Sequence, residues 1–132
     1  MIVRILLVII GLIHLFGGLW MLADPMAWYG AVPGVALTGP ANHHFISDIG
    51  LAFVASGAGL CCAAGSGLRN ASLALAGSIW PVLHALLHVY GWFVRGAPST
   101  PATAFTEIVG VVLIGALGFG LAWINARKEG VL

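Results

Sequence analysis

Charge is what this sequence has least of. Only 7% of its 132 residues are Asp, Glu, Lys or Arg, where a soluble domain carries roughly a quarter. A surface so poor in charge excludes a soluble globular domain. With only five Lys and Arg residues, no basic stripe exists to neutralise phosphates, and nucleic acid is excluded as a partner. Cysteine is nearly missing too. The two present, Cys61 and Cys62, are adjacent and cannot close a long loop by pairing with each other. Glycine-rich phosphate loops, GxSxG elbows and paired CxxC motifs do not occur.

What fills the chain instead is apolar. Hydrophobic residues make up 61% of it, and the mean hydropathy is +1.07. The length suits one domain, and the composition makes the lipid bilayer its solvent. Four apolar stretches stand out: about Val3–Ala23, Phe45–Gly67, Ser72–Phe93 and Thr103–Asn125. A helix of some 20 residues spans the roughly 30 Å hydrocarbon core. Backbone polar groups in lipid must be paired internally, so each stretch is read as a helix. The expected fold is all-α, a four-helix transmembrane bundle. Val3–Ala23 also has the charge-then-apolar order of a secretory signal. It is as long as the other three, however, and Met21 suits a cleavage site poorly, so it is read as a retained span.

Short connections make spans two and three, and three and four, antiparallel neighbours. The connection between spans one and two, Asp24–His44, is long and carries Pro25, Pro33, Gly34, Gly39 and Pro40, which predicts an irregular loop. With the N-terminus inside, Arg4, Arg69, Arg127 and Lys128 lie on the inner side and only Arg95 on the outer one. The positive-inside rule therefore predicts an N-in, C-in arrangement with the long loop outside. Trp20, Trp28, Tyr29, Tyr90 and Trp92 then form an outer aromatic belt. A multi-pass protein of a bacterial inner membrane is the expected setting.

Ionisable residues inside a membrane are costly and mark candidate function. Here they are His14, His84, His88, Asp48 and Glu107, with His43 and His44 just ahead of span two. In the predicted topology all of them fall at the midplane or in the outer half. His84 and His88 are four apart and share a helix face with Trp80. Pro81 removes a backbone donor beside them. Asp48 shares a face with Ala52, Ala55, Ser56 and Gly59, and Glu107 with Gly110, Ile114 and Gly118. These small neighbours predict that both carboxylates point into the bundle.

Imidazoles and carboxylates gathered from facing helices suit a transition metal: zinc, copper, iron or manganese. The expected ligands are His43, His44, Asp48, His84, His88 and Glu107, with redox or hydrolytic chemistry open at such a centre. His14 and His84, at similar depth on different helices, are the pair able to bracket a b-type haem. The same groups also suit proton transfer. Set against these readings are interhelical hydrogen bonding for the histidines and helix capping for Asp48 and Glu107. Two further roles remain open for the whole chain: an accessory subunit of a membrane complex, and a small carrier of protons, metal ions or a lipophilic molecule. Glycine-rich faces such as Gly110–Gly120 would suit a homo-oligomer. Cys61 and Cys62 are read as small packing residues.

The opening Arg4-Ile-Leu-Leu-Val-Ile-Ile-Gly-Leu-Ile-His-Leu-Phe-Gly-Gly, followed by Ala23-Asp24-Pro25, resembles the start of DoxX-like membrane proteins. That resemblance implies a four-helix membrane bundle over the whole chain. Some DoxX-like proteins are associated with quinone-linked redox complexes. The segments around His43–Gly50 and Trp80–His88 are not their signatures, and no catalytic residue carries over.

Overall fold

The computed structural model describes residues 1–132. It is all-helical, without strands, and four of its helices are long and apolar enough to cross a membrane. The first, α1, spans Ile2–Ala23. A short helix, α2, follows at Pro25–Ala31. Helix α3 runs His43–Cys61 and is continued by a 3-10 turn at Cys62–Ala64. Helix α4 is Leu68–Arg95, and α5 is Pro101–Lys128. Helices α4 and α5 each extend past the apolar stretch that announces them. Arg69, Arg95 and Arg127 belong to the helices, where long cationic side chains can reach beyond an apolar boundary.

The helices form a ring. α1 packs on α3, α3 on α4, α4 on α5, and α5 back on α1. With lipid outside, apolar side chains gain little by moving inward, so close backbone contact has to hold the bundle together. Glycines supply that contact. A Cβ on Gly57 of α3 would meet the Gly11 carbonyl oxygen of α1 at 2.6 Å, and one on Gly18 would meet the Gly50 oxygen at 2.6 Å. Both pairs are seven residues apart on their helices, so they lie on one stripe. Gly59 and Gly77 join α3 to α4 in the same way, and Gly115 of α5 rests on the Pro81 carbonyl of α4. Pro81 itself lies buried within a continuous α4.

Each end of the bundle is tied. At one end, Arg4 donates from Nε to the Ala63 carbonyl and from Nη2 to that of Ala64, both at 3.0 Å, which satisfies the last turn of α3. Glu129 accepts from the Gly67 backbone N–H at 2.7 Å beside the start of α4. At the other end, the connection after α1 differs from the irregular loop expected. Asp24 accepts from the Ala27 N–H at 2.9 Å and Pro25 takes the first helical position, so α2 starts at once. A 3-10 turn follows at Val35–Thr38, and the Tyr29 hydroxyl donates to the Gly39 carbonyl at 2.7 Å.

Helix α5 departs from the expected geometry. Its middle, Phe105–Leu113, is π-helical over nine residues, with the Ile114 N–H bonding back to the Val109 carbonyl. The wider turn changes which residues face α4. Gly110, expected on the inward face, is exposed, with nothing within 4 Å of where its Cβ would lie.

Candidate functional site

Four aromatic side chains stand in a column on one face of α4: Trp80, His84, His88 and Trp92, each four residues from the next. Trp80 and His84 stack at 4.8 Å with 10° between their planes. His84 and His88 meet edge to face, also at 4.8 Å. At the top of the column the π-helical run of α5 delivers Glu107. Its Oε2 accepts a 2.5 Å hydrogen bond from Trp92 Nε1 and lies 3.4 Å from His88 Nδ1. The side chains of His88 and Glu107 are 26% and 23% exposed. The two contacts on Oε2 differ in kind. The indole N–H can only donate, so it fixes Oε2 as an acceptor. The imidazole stands slightly beyond ordinary hydrogen-bond length, where a proton on Nδ1 would draw it in.

His14 enters from α1, buried to 5% exposure. Its Nδ1 lies 2.9 Å from the Ile10 carbonyl oxygen. A carbonyl only accepts, so Nδ1 carries the hydrogen, and Nε2 of the neutral ring is left as the acceptor. Phe53 of α3 lies between the histidines of α1 and α4, 5.3 Å from the His14 ring and 6.4 Å from that of His84. It also packs on Trp80 at 4.9 Å. Phe53 therefore fills the space where a haem bracketed by His14 and His84 would have to lie. These residues do not fit that cofactor.

The expected six-residue cluster divides. His84, His88 and Glu107 come together, whereas His43, His44 and Asp48 do not join them. Asp48 pairs with His44 of its own helix, Oδ2 to Nε2 at 3.4 Å, with side-chain exposures of 53% and 89%. His43 is exposed at the start of α3, where Asn42 supplies the cap by accepting from the Phe45 N–H at 3.1 Å. Gly50 and Gly57 turn one face of α3 toward α1, and Asp48 lies about 200° around the helix from Gly50, in line with Gly59, which meets α4, but three turns nearer the start of the helix, where its side chain is exposed. No three His, Cys, Asp or Glu side chains are grouped so as to share a metal ion. Of the expected metal ligands His43, His44, Asp48, His84, His88 and Glu107, the structure therefore holds four as two separate pairs, His44 with Asp48 and His88 with Glu107; His84 meets His88 edge to face and His43 stands apart. Cys61 and Cys62 are free thiols whose sulfurs lie near the Val8 and Ala58 carbonyls.

Two members of the site went unread in the sequence. Trp92 continues the 80–84–88 spacing by another four residues, so its signal was present. Phe53 carried no signal beyond its place among apolar residues.

Beyond the histidine column, the buried polar residues are spread through the bundle. His14 comes from α1, Ser56 from α3, Ser78 from α4, and Thr103 and Asn125 from α5. Every long helix contributes at least one, and Thr103 and Asn125 lie near opposite ends of α5.

No protein-family model, curated protein or solved structure matches this chain.

Proposed function

We infer that this chain transfers protons within a membrane, and that His84, His88 and Glu107 form the exchange site. The observation that carries the reading is the pairing of His88 with Glu107 next to His84. An imidazole takes a proton at one nitrogen and releases it from the other. A carboxylate 3.4 Å away is the natural next station. Trp92 donates to the same Oε2 that faces His88, so it holds that oxygen in place while the oxygen's second lone pair takes and returns the proton. His14, with Nε2 unprotonated, is the next acceptor across the Phe53 ring, and Ser56, Ser78 and Asn125 offer hydroxyl and amide groups along the rest of the interior. Spacing this wide between stations calls for water molecules to complete the path.

The orientation proposed with this reading is N-in and C-in. Arg4, Arg69, Arg127 and Lys128 support it against Arg95 alone at the other end. The site then lies in the outer half of the membrane, with the α2 segment above it, and the setting is a bacterial inner membrane. The DoxX-like resemblance is retained as a proposal on its opening residues. A metal centre is not part of the reading, because the side chains meet only in pairs.

The test is proton flux into vesicles. Purified protein is reconstituted with a trapped pH-sensitive dye, and a potassium diffusion potential drives proton entry. The wild type should acidify the interior faster than protein-free vesicles do. His88→Ala and Glu107→Gln should return the rate to that baseline, while Asp48→Asn should leave it unchanged. A wild-type rate equal to the baseline, or variants as fast as the wild type, would overturn the reading.

A further inference from the structure

The π-helical run of α5 has a consequence for Glu107. In an uninterrupted α-helix the eleven residues from Glu107 to Gly118 make three turns plus about 20°. Glu107 would then line up with Gly118, whose Cβ position is 3.5 Å from Ile10 of α1. By the same arithmetic Ile108, seven residues before Gly115, would fall about 20° short of two full turns from it. Gly115 rests on Pro81 and Ala85 of α4. In the α register, therefore, Ile108 faces α4 and Glu107 turns toward α1. The π run reverses this. Ile108 is 42% exposed, Glu107 meets His88 and Trp92, and the run packs mainly on α4 while Ile114–Lys128 touches both α4 and α1.

We propose that Phe105–Leu113 is a two-register element that carries Glu107 between His88 and Trp92 on α4 and the α1 side of the bundle. Three features fit the role. A π-helical run inside an α-helix is rare and is frequently found at functional sites, so contacts must hold it. Here the hydrogen bond from Trp92 to Glu107 and the contact of His88 with the same oxygen form the latch. The pivot is the tight Gly115–Pro81 contact below the run. The room to turn is around Gly110, in the middle of the run, which has no neighbour within 4 Å. The use of this motion rests on the proton-transfer reading, since it would move the carboxylate between two environments. Its geometry does not depend on that reading.

The test is a nitroxide label on Ile108→Cys, in a Cys61→Ser, Cys62→Ser background in lipid, read by its collisions with dissolved oxygen. With the latch intact the label should face the hydrocarbon and be oxygen-accessible. Glu107→Ala and Trp92→Phe remove the latch without changing chain length, so the run can return to the α register and bring position 108 toward α4. Deleting Gly110 is the matched control: it sets Glu107 seven residues before Gly115, so even an uninterrupted α-helix then keeps Glu107 on α4 and position 108 outward. Accessibility should be lowered in both substitutions and kept in the deletion. Both substitutions as accessible as the protein with the latch intact would overturn the proposal, whatever the flux. A label that turns inward in a protein with no proton flux upholds the two registers and overturns the proton reading alone.

Discussion

Adding one methyl group at Gly57 should loosen the bundle, and the structure gives the scale of the effect. A Cβ there would stand 2.6 Å from the Gly11 carbonyl oxygen, 2.7 Å from the Leu15 backbone nitrogen and 2.8 Å from Leu15 Cγ. Two of these are backbone atoms of α1 and cannot swing aside, so α1 and α3 must separate. Overpacking of this kind costs about 1–3 kcal/mol. Gly120→Ala is the matched control, because nothing lies within 4 Å of its Cβ position. There the better helix propensity of alanine contributes about 0.5–1 kcal/mol in favour of folding. Gly57→Ala shares that gain, so the two substitutions should differ by the overpacking cost, about 1–3 kcal/mol, with Gly57→Ala the less stable. Reversible unfolding in mixed micelles, followed by helical circular dichroism, measures both. Equal stabilities for Gly57→Ala and Gly120→Ala would refute the view that glycine contacts hold α1 on α3.

Two further expectations concern the residues that the structure sets apart. His44→Ala and Asp48→Asn break a pair that is largely exposed, so each should change stability by no more than about 0.5 kcal/mol in the same unfolding assay. A larger loss would mean that Asp48 has a buried partner. Titration of the purified protein with zinc, copper, iron or manganese should give no tight stoichiometric binding. Uptake abolished by both His88→Ala and Asp48→Asn would restore the six-ligand metal centre.

The membrane class was legible from composition, because a chain with so few charges has no way to cover itself in water. The helices were legible for the same reason: lipid leaves the backbone no other pairing. Placement of side chains around each helix was less so. His84 and His88 could be read together, since i,i+4 spacing within one α-helix is independent of its neighbours. Asp48 could not. The face it shares with Ser56 and Gly59 does turn inward further along α3, where Ser56 is buried and Gly59 meets α4, but near the start of the helix Asp48 stays exposed and pairs with His44. Glu107 does turn into the bundle, where it meets His88 and Trp92, but not for the reason its neighbours suggest. Its assignment to one face with Gly110 and Gly118 assumed 3.6 residues per turn, and the π-helical run breaks that period. The long connection after α1 was expected to be irregular because its prolines and glycines were read as breakers. Asp24 and Pro25 instead form a helix start.

The account depends most on Glu107 meeting His88 inside the bilayer. The scarcity of ionisable residues makes that contact directly observable. Only Glu107 and Glu129 are glutamates, and there are five histidines. Magic-angle-spinning NMR on lipid-reconstituted protein, with carbon-13 in glutamate carboxyls and nitrogen-15 in histidine rings, reports the pair through their dipolar coupling. The account predicts a cross-peak between one carboxyl carbon and one imidazole nitrogen that vanishes in both Glu107→Gln and His88→Ala and persists in Glu129→Gln. A Glu107 carboxyl with no histidine nitrogen in range, in a folded protein, would contradict it.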